Sequence, residues 1–97
     1  MGNKEVTKQE IVEYIIAQAD TNNCKPTWMK DVGDAFQIAW NTKYYYYDIE
    51  VYTESVEFFF SSNRKKIEAT TVKDIDDVDE KMIIKMLNRI FMEIKGQ

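Results

Sequence analysis

The sequence contains no histidine. That removes the side chain that most often serves as a general acid or base near neutral pH. A single cysteine, Cys24, excludes an internal disulfide or a thiol pair, and the default setting is a reducing one. Without a histidine beside it, Cys24 lacks the usual activating base and reads as inert or merely exposed. Glycine is scarce, and no glycine-rich loop is present that could cradle a phosphate. No nucleophile motif is recognisable either. A non-enzymatic protein is expected, with no cofactor, no catalytic residue and no metal ligand.

Long apolar runs are also missing, and the longest falls far short of a membrane span. The N-terminus lacks the apolar stretch of a signal peptide. "MGNKEV" has the Gly2 of a myristoylation signal but Val6 where Ser or Thr belongs. A cytoplasmic location and no membrane partner are therefore expected. There is no basic excess: 13 Lys and Arg stand against 17 Asp and Glu, a formal charge of -4. That balance disfavours a dedicated nucleic-acid binder. It also falls short of the charge density of a thorough DNA mimic.

The 97 residues suffice for a single domain, 1–97, with 44% hydrophobic and 31% charged content, in the range of globular proteins. A chain of this length buries roughly 60–65% of its unfolded surface, so a partner or second copy would add useful stability.

Thr7-Lys8-Gln9-Glu10 reads as a capping box opening a helix that ends near Thr21-Asn22-Asn23. Ile11, Val12, Ile15, Ile16 and Ala19 share one face of it. Residues 24–33 read as an irregular connection, or as a short helix capped by Thr27 that Gly33 argues against. Residues 34–40 alternate as a strand, with a helix carrying Val32, Phe36 and Ala39 as the alternative. Strands are expected at 44–53, 56–61 and 66–72, with Asn41 and Asn63 as candidates for positive φ in the turns. In "DIDDVDE", Asp77 reads as the N-cap of a last helix reaching about Lys95. Its buried arc holds Ile83, Met86, Leu87, Ile90, Phe91 and Ile94, while Met92 faces away. The expected fold is α+β (α-β-β-β-β-α): a four-stranded antiparallel β-meander with the N- and C-terminal helices packed on one face.

The stretch "NTKYYYYDIEVYTESVEFFF" places Tyr45, Tyr47, Ile49 and Val51 on one strand face. Ile49 and Val51 mark it as the inward one, because Asp48 and Glu50 cannot sit unpaired in a core. The outward face then displays Tyr44, Tyr46, Tyr52 and Phe59 among Asp48, Glu50 and Glu57. Cross-strand pairing alone is the bland explanation of such rings. A protein-binding patch is the functional one, with aromatic anchors and carboxylates that orient the partner. Stacking on single-stranded nucleic acid is disfavoured, because the carboxylates among the rings repel phosphate.

Arg64, Lys65 and Lys66 form a basic tip that offers a second contact or is simply solvated. "DIDDVDE" lacks the glycine and the ligand spacing of a calcium loop and is better explained as helix capping. The expectation is a small acidic module that binds a protein partner through the latter's basic surface, with Tyr46 the central anchor and no direct nucleic-acid contact. Its specific version is an inhibitor, of the sort phages and mobile elements encode, that covers the nucleic-acid-binding surface of a host protein machine. The alternative is a structural or assembly subunit, homodimeric through the C-terminal helix. Under the first reading Tyr46→Glu is expected to abolish binding and spare folding.

Overall fold

The capping box forms as expected: the Glu10 amide donates to the Thr7 hydroxyl and the Thr7 amide donates to Glu10 Oε1, both at 3.2 Å. It opens helix α1, Lys8–Thr21, in the computed structural model, which describes residues 7–63 and 66–96. Ile11, Ile15 and Ala19 on its inner face are buried. The helix closes with Asn23 in the left-handed region (φ 57°), the Cys24 amide donating to the Ala19 carbonyl and the Asn23 amide to the Asp20 carbonyl. This is the Schellman pattern, and Ala19 and Cys24, the positions where an apolar contact usually accompanies it, are both buried in the core. Cys24 is accordingly a buried structural thiol.

The sheet has five strands, in the order β1 (Trp28–Asp31), β2 (Ala35–Asn41), β3 (Tyr45–Tyr52), β4 (Ser55–Ser62) and β5 (Ile67–Asp74), all antiparallel neighbours. Four strands were expected, and the additional one is β1, which occupies part of the segment read as irregular. Gly33 does not break a helix there. It turns the β1–β2 hairpin at φ 94°, where its amide donates to Asp31 Oδ1. Neither Asn41 nor Asn63 adopts positive φ; Asn23 and Lys66 do. Asn41 instead ends β2 opposite Tyr46, with its amide donating to the Thr27 hydroxyl.

"DIDDVDE" divides differently from the expectation. A single 3-10 turn, Ile75–Asp77, precedes helix α2, Glu80–Lys95, and the cap is Asp79, which accepts from the Met82 amide at 2.8 Å. Asp77 fits the sequence spacing, but Val78 after it is buried, so the chain enters the core before the helix begins. Val78 and Ile83 hold the positions of a hydrophobic staple and join the same buried cluster. The expected arc of α2 is correct: Ile83, Leu87, Ile90 and Phe91 are buried, and Met86 and Ile94 pack at its margins.

Both helices lie on one sheet face. Ile38, Trp40, Tyr47, Ile49, Val51, Val56 and Phe58, all of one strand parity, form a single core with the helices' apolar residues. Among the described residues, no helix packs on the opposite face. No helix among the described residues is long and apolar enough to cross a membrane.

Candidate partner-binding surface

Register assembles the outer face. One row across the first four strands is Trp28, Ala39, Asp48 and Phe59, and the next is Lys30, Gln37, Glu50 and Glu57. Tyr46 lies beside the first row, opposite Asn41 and Ser61. Because Ala39 is small, the larger rings close over it and it is completely buried. Trp28 and Tyr46 have ring centroids 5.8 Å apart, and Tyr46 and Phe59 6.0 Å. The three rings form one half-buried ridge, each shielding its neighbours, rather than separate exposed anchors.

A polar chain runs beneath the ridge. Trp28 Nε1 donates to Gln37 Oε1 at 3.1 Å, and Gln37 Nε2 donates to Asp48 Oδ2 at 3.1 Å. The Tyr46 hydroxyl donates to the same Asp48 oxygen at 2.7 Å. Asp48 was expected as an exposed steering carboxylate, yet only 7% of it is exposed. Its parity is right, but the flanking rings cover it. Burial raises its pKa; the Tyr46 and Gln37 hydrogen bonds work against that, and the Glu50 charge adds to it. Burial first, then the bond and charge of Asp48, push the Tyr46 hydroxyl well above the usual tyrosine range, so it stays a donor.

Above this network the face is acidic. Glu50 and Glu57 sit directly opposite each other across β3 and β4. The Tyr52 hydroxyl donates to Glu50 Oε1 at 2.7 Å, and that bond, with burial and the charges of Glu50, Glu57 and Asp34, pushes its pKa up to about 12. By register, Asp48, Glu50, Glu57, Glu68 and Asp74 share the outer face of the strands with one cation, Lys30. The Lys30 ammonium lies 5.8 Å from the centroid of the Trp28 ring.

Of the residues expected at this surface, Tyr46, Asp48 and Phe59 come together in the ridge, and Glu50, Tyr52 and Glu57 form the acidic cluster beside it. Tyr44 lies outside the strand, in the turn before β3, where the Lys43 ammonium lies 5.4 Å from its ring centroid. Arg64 and Lys65 lie outside the described residues, and Lys66 is exposed in the turn before β5. Trp28 and Gln37 are functional candidates that the sequence reading missed. The signal was present in the Asp31–Gly33 turn, which makes 28–31 the partner of β2 and so brings Trp28 over Gln37. Comparison with family models, curated proteins and solved structures finds no match.

The buried carboxylate gives a prediction with a definite sign. With its pKa raised in the fold, Asp48 holds its proton to higher pH there than in the unfolded chain. Its contribution to stability is best below the ordinary carboxyl value, falls as pH rises to the raised value, and is flat above it. Asp48→Asn keeps an acceptor for Tyr46 and Gln37 and removes the charge. At neutral pH it should therefore stabilise the fold by about 1 kcal/mol, the scale of one net polar interaction. Melting curves of both proteins near neutrality and in acid check this: the gain should vanish in acid.

Proposed function

We propose that this chain is a small binding module that occupies a basic surface of another protein, with the outer sheet face as the contact. The observation that carries the reading is the opposed pair Glu50 and Glu57, on a face that by register presents four carboxylates at its surface, these two with Glu68 and Asp74, and one lysine, Lys30. Like charges directly opposite on a sheet cost about 0.2–1 kcal/mol. A fold has no use for that repulsion, whereas recognition of a cationic surface does. The aromatic ridge adds apolar contact area of the kind that anchors interfaces. Direct nucleic-acid binding is disfavoured, since these carboxylates would meet the phosphates. A basic surface that handles nucleic acid is the natural target class, and an inhibitor encoded by a phage or mobile element is the specific version, by analogy from size and charge.

Glu57→Lys tests this. It places a cation opposite Glu50, leaves the Tyr52–Glu50 bond in place, and should hold or raise stability by up to about 1 kcal/mol. The tagged full chain should retain a basic protein from nuclease-treated lysate of its source organism. Glu57→Lys should bind that protein at least about tenfold more weakly, and salt should weaken the wild-type complex. Equal binding by both forms, or recovery of nucleic acid alone, would refute the reading.

An assembly subunit joined through α2 is the second reading. What favours it is Met92, 74% exposed on that helix. Ile84, the other exposed apolar residue of α2, lies two turns away, so the helix offers isolated apolar points and less support than the acidic sheet face.

A further inference from the structure

Strand β5 ends the sheet, and among the described residues no strand pairs with its far edge. The other edge strand, β1, is short, whereas β5 runs from Ile67 to Asp74 with every residue exposed. A long open edge presents a row of backbone donors and acceptors that template pairing with another strand. Folds commonly blunt such an edge with proline, a bulge or charges along it. Here the register against β4 runs unbroken from Ser62 opposite Ile67 to Ser55 opposite Asp74, so no bulge interrupts it, and β5 contains no proline. Its charges stand towards the two ends, Glu68 at one and Lys73 and Asp74 at the other, with Ala69-Thr70-Thr71-Val72 between them. Ile67 and Val72 are 45% and 56% exposed, one on each side of the sheet.

The strand is its own complement. Two copies of β5 meeting antiparallel about a two-fold axis pair residues of like parity, so one residue must lie opposite itself. Two registers keep most of the strand paired: one centred on Thr70 and covering 67–73, the other centred on Thr71 and covering 68–74. Centring on Thr71 sets Glu68 against Asp74 of the second copy at both ends, a repulsive arrangement. Centring on Thr70 sets Glu68 against Val72 and Lys73 against Ile67, so the methylenes of the charged residues cover the exposed aliphatic ones. It also brings Lys66, just ahead of the strand, level with Asp74 of the second copy. We propose that the chain forms a homodimer in which two copies of β5 pair antiparallel, centred on Thr70, into one continuous sheet. The axis stands perpendicular to the sheet, so the outer faces of both copies look the same way and their carboxylates form one acidic surface. The pairing does not depend on the function proposed above; joined with it, it makes the target a basic surface wide enough for two copies.

Sedimentation equilibrium of the full chain should show a monomer–dimer equilibrium with no larger species. Thr70 meets itself at the axis and is exposed in the single copy, so a charge there should leave the fold intact. Thr70→Lys and Thr70→Glu should each weaken association about tenfold, the 1.4 kcal/mol that a lost threonine pair and a gained like-charge pair together amount to. An equal mixture of the two should form a mixed dimer at least as tight as the wild type, which an unfolded variant could not do. Thr71→Lys should weaken association less, since position 71 faces Ala69 of the second copy. The proposal is overturned by a chain that stays monomeric at the highest attainable concentration, by a dimer that neither Thr70 variant weakens, or by a mixture that fails to restore association. A stronger effect at Thr71 than at Thr70 would refute the register. Loss of the dimer in Met92→Glu alone would assign the contact to α2 instead, and species beyond the dimer would assign it to head-to-tail pairing of β5 with β1.

Discussion

Trp40→Ala is expected to remove about 3–5 kcal/mol of stability, the range for deleting a large buried aromatic. Trp40 is 2% exposed and stands on the inner face of β2, opposite Tyr47. Its ring meets Phe91 of α2 edge-on, with centroids 6.1 Å apart. Its Nε1 donates to the Cys24 carbonyl at 2.8 Å, just beyond the Schellman turn that ends α1. One side chain thus ties the exit of α1, the middle of the sheet and the last helix together. Alanine would open a cavity among all three and leave the Cys24 carbonyl without that donor. Small proteins commonly have a total stability near the low end of 5–15 kcal/mol, so the variant should be partly unfolded at physiological temperature. Urea denaturation followed by circular dichroism measures this directly. Trp40→Phe, which keeps most of the ring volume and loses the hydrogen bond, should fall between the two. A loss below about 1.5 kcal/mol for Trp40→Ala would mean that the three elements are not held together here.

That knot was only partly legible in the sequence. The helix faces and the parity of β3 and β4 were readable, because period alone assigns them: Ile49 and Val51 alternate with Asp48 and Glu50, and a slip would exchange the two sets. The positions of Ile83, Leu87 and Ile90 on α2 were readable for the same reason. Strand β1 was not, since Met29, Lys30 and Asp31 on this short edge strand are all exposed and carry no period. Losing β1 also hid the Trp28 and Gln37 part of the candidate site. The Trp28–Gln37–Asp48 chain joins three strands and exists only once the register of β1 is known. Parity also gives the side of a sheet on which a residue lies but not its depth there. Asp48 was placed on the correct face and still misread as exposed, because the rings that cover it come from β1 and β4 as well as β3. The glycine and asparagine turns failed through the same gap: a left-handed residue is needed where the ladder stops, and the ladder's ends were not yet placed.

The depth of the ridge changes what a substitution at Tyr46 can report. Read from the sequence, Tyr46→Glu removes a surface anchor and spares the fold. In the structure Tyr46 packs between Trp28 and Phe59 and donates to the buried Asp48. Glutamate there would lose both ring contacts, remove the stronger of the two donors to Asp48, and set a second carboxylate beside it. Those losses together should destabilise the fold by about 2–4 kcal/mol at neutral pH. The deficit should shrink as pH falls, because two neighbouring carboxyls in the fold hold protons to higher pH than they do in the unfolded chain. Tyr46→Phe, which keeps the ring row and leaves Gln37 as the donor to Asp48, should cost only about 1 kcal/mol. Urea titrations at neutral and mildly acidic pH separate these outcomes, and a Tyr46→Glu protein as stable as the wild type would show that the ridge contributes nothing to the fold. If the predicted loss is found, failure of Tyr46→Glu to bind a partner says nothing about the surface, since the surface itself has been dismantled. Glu57→Lys, which reverses the charge while leaving the ridge intact, is then the substitution that distinguishes a recognition face from a second, outer core.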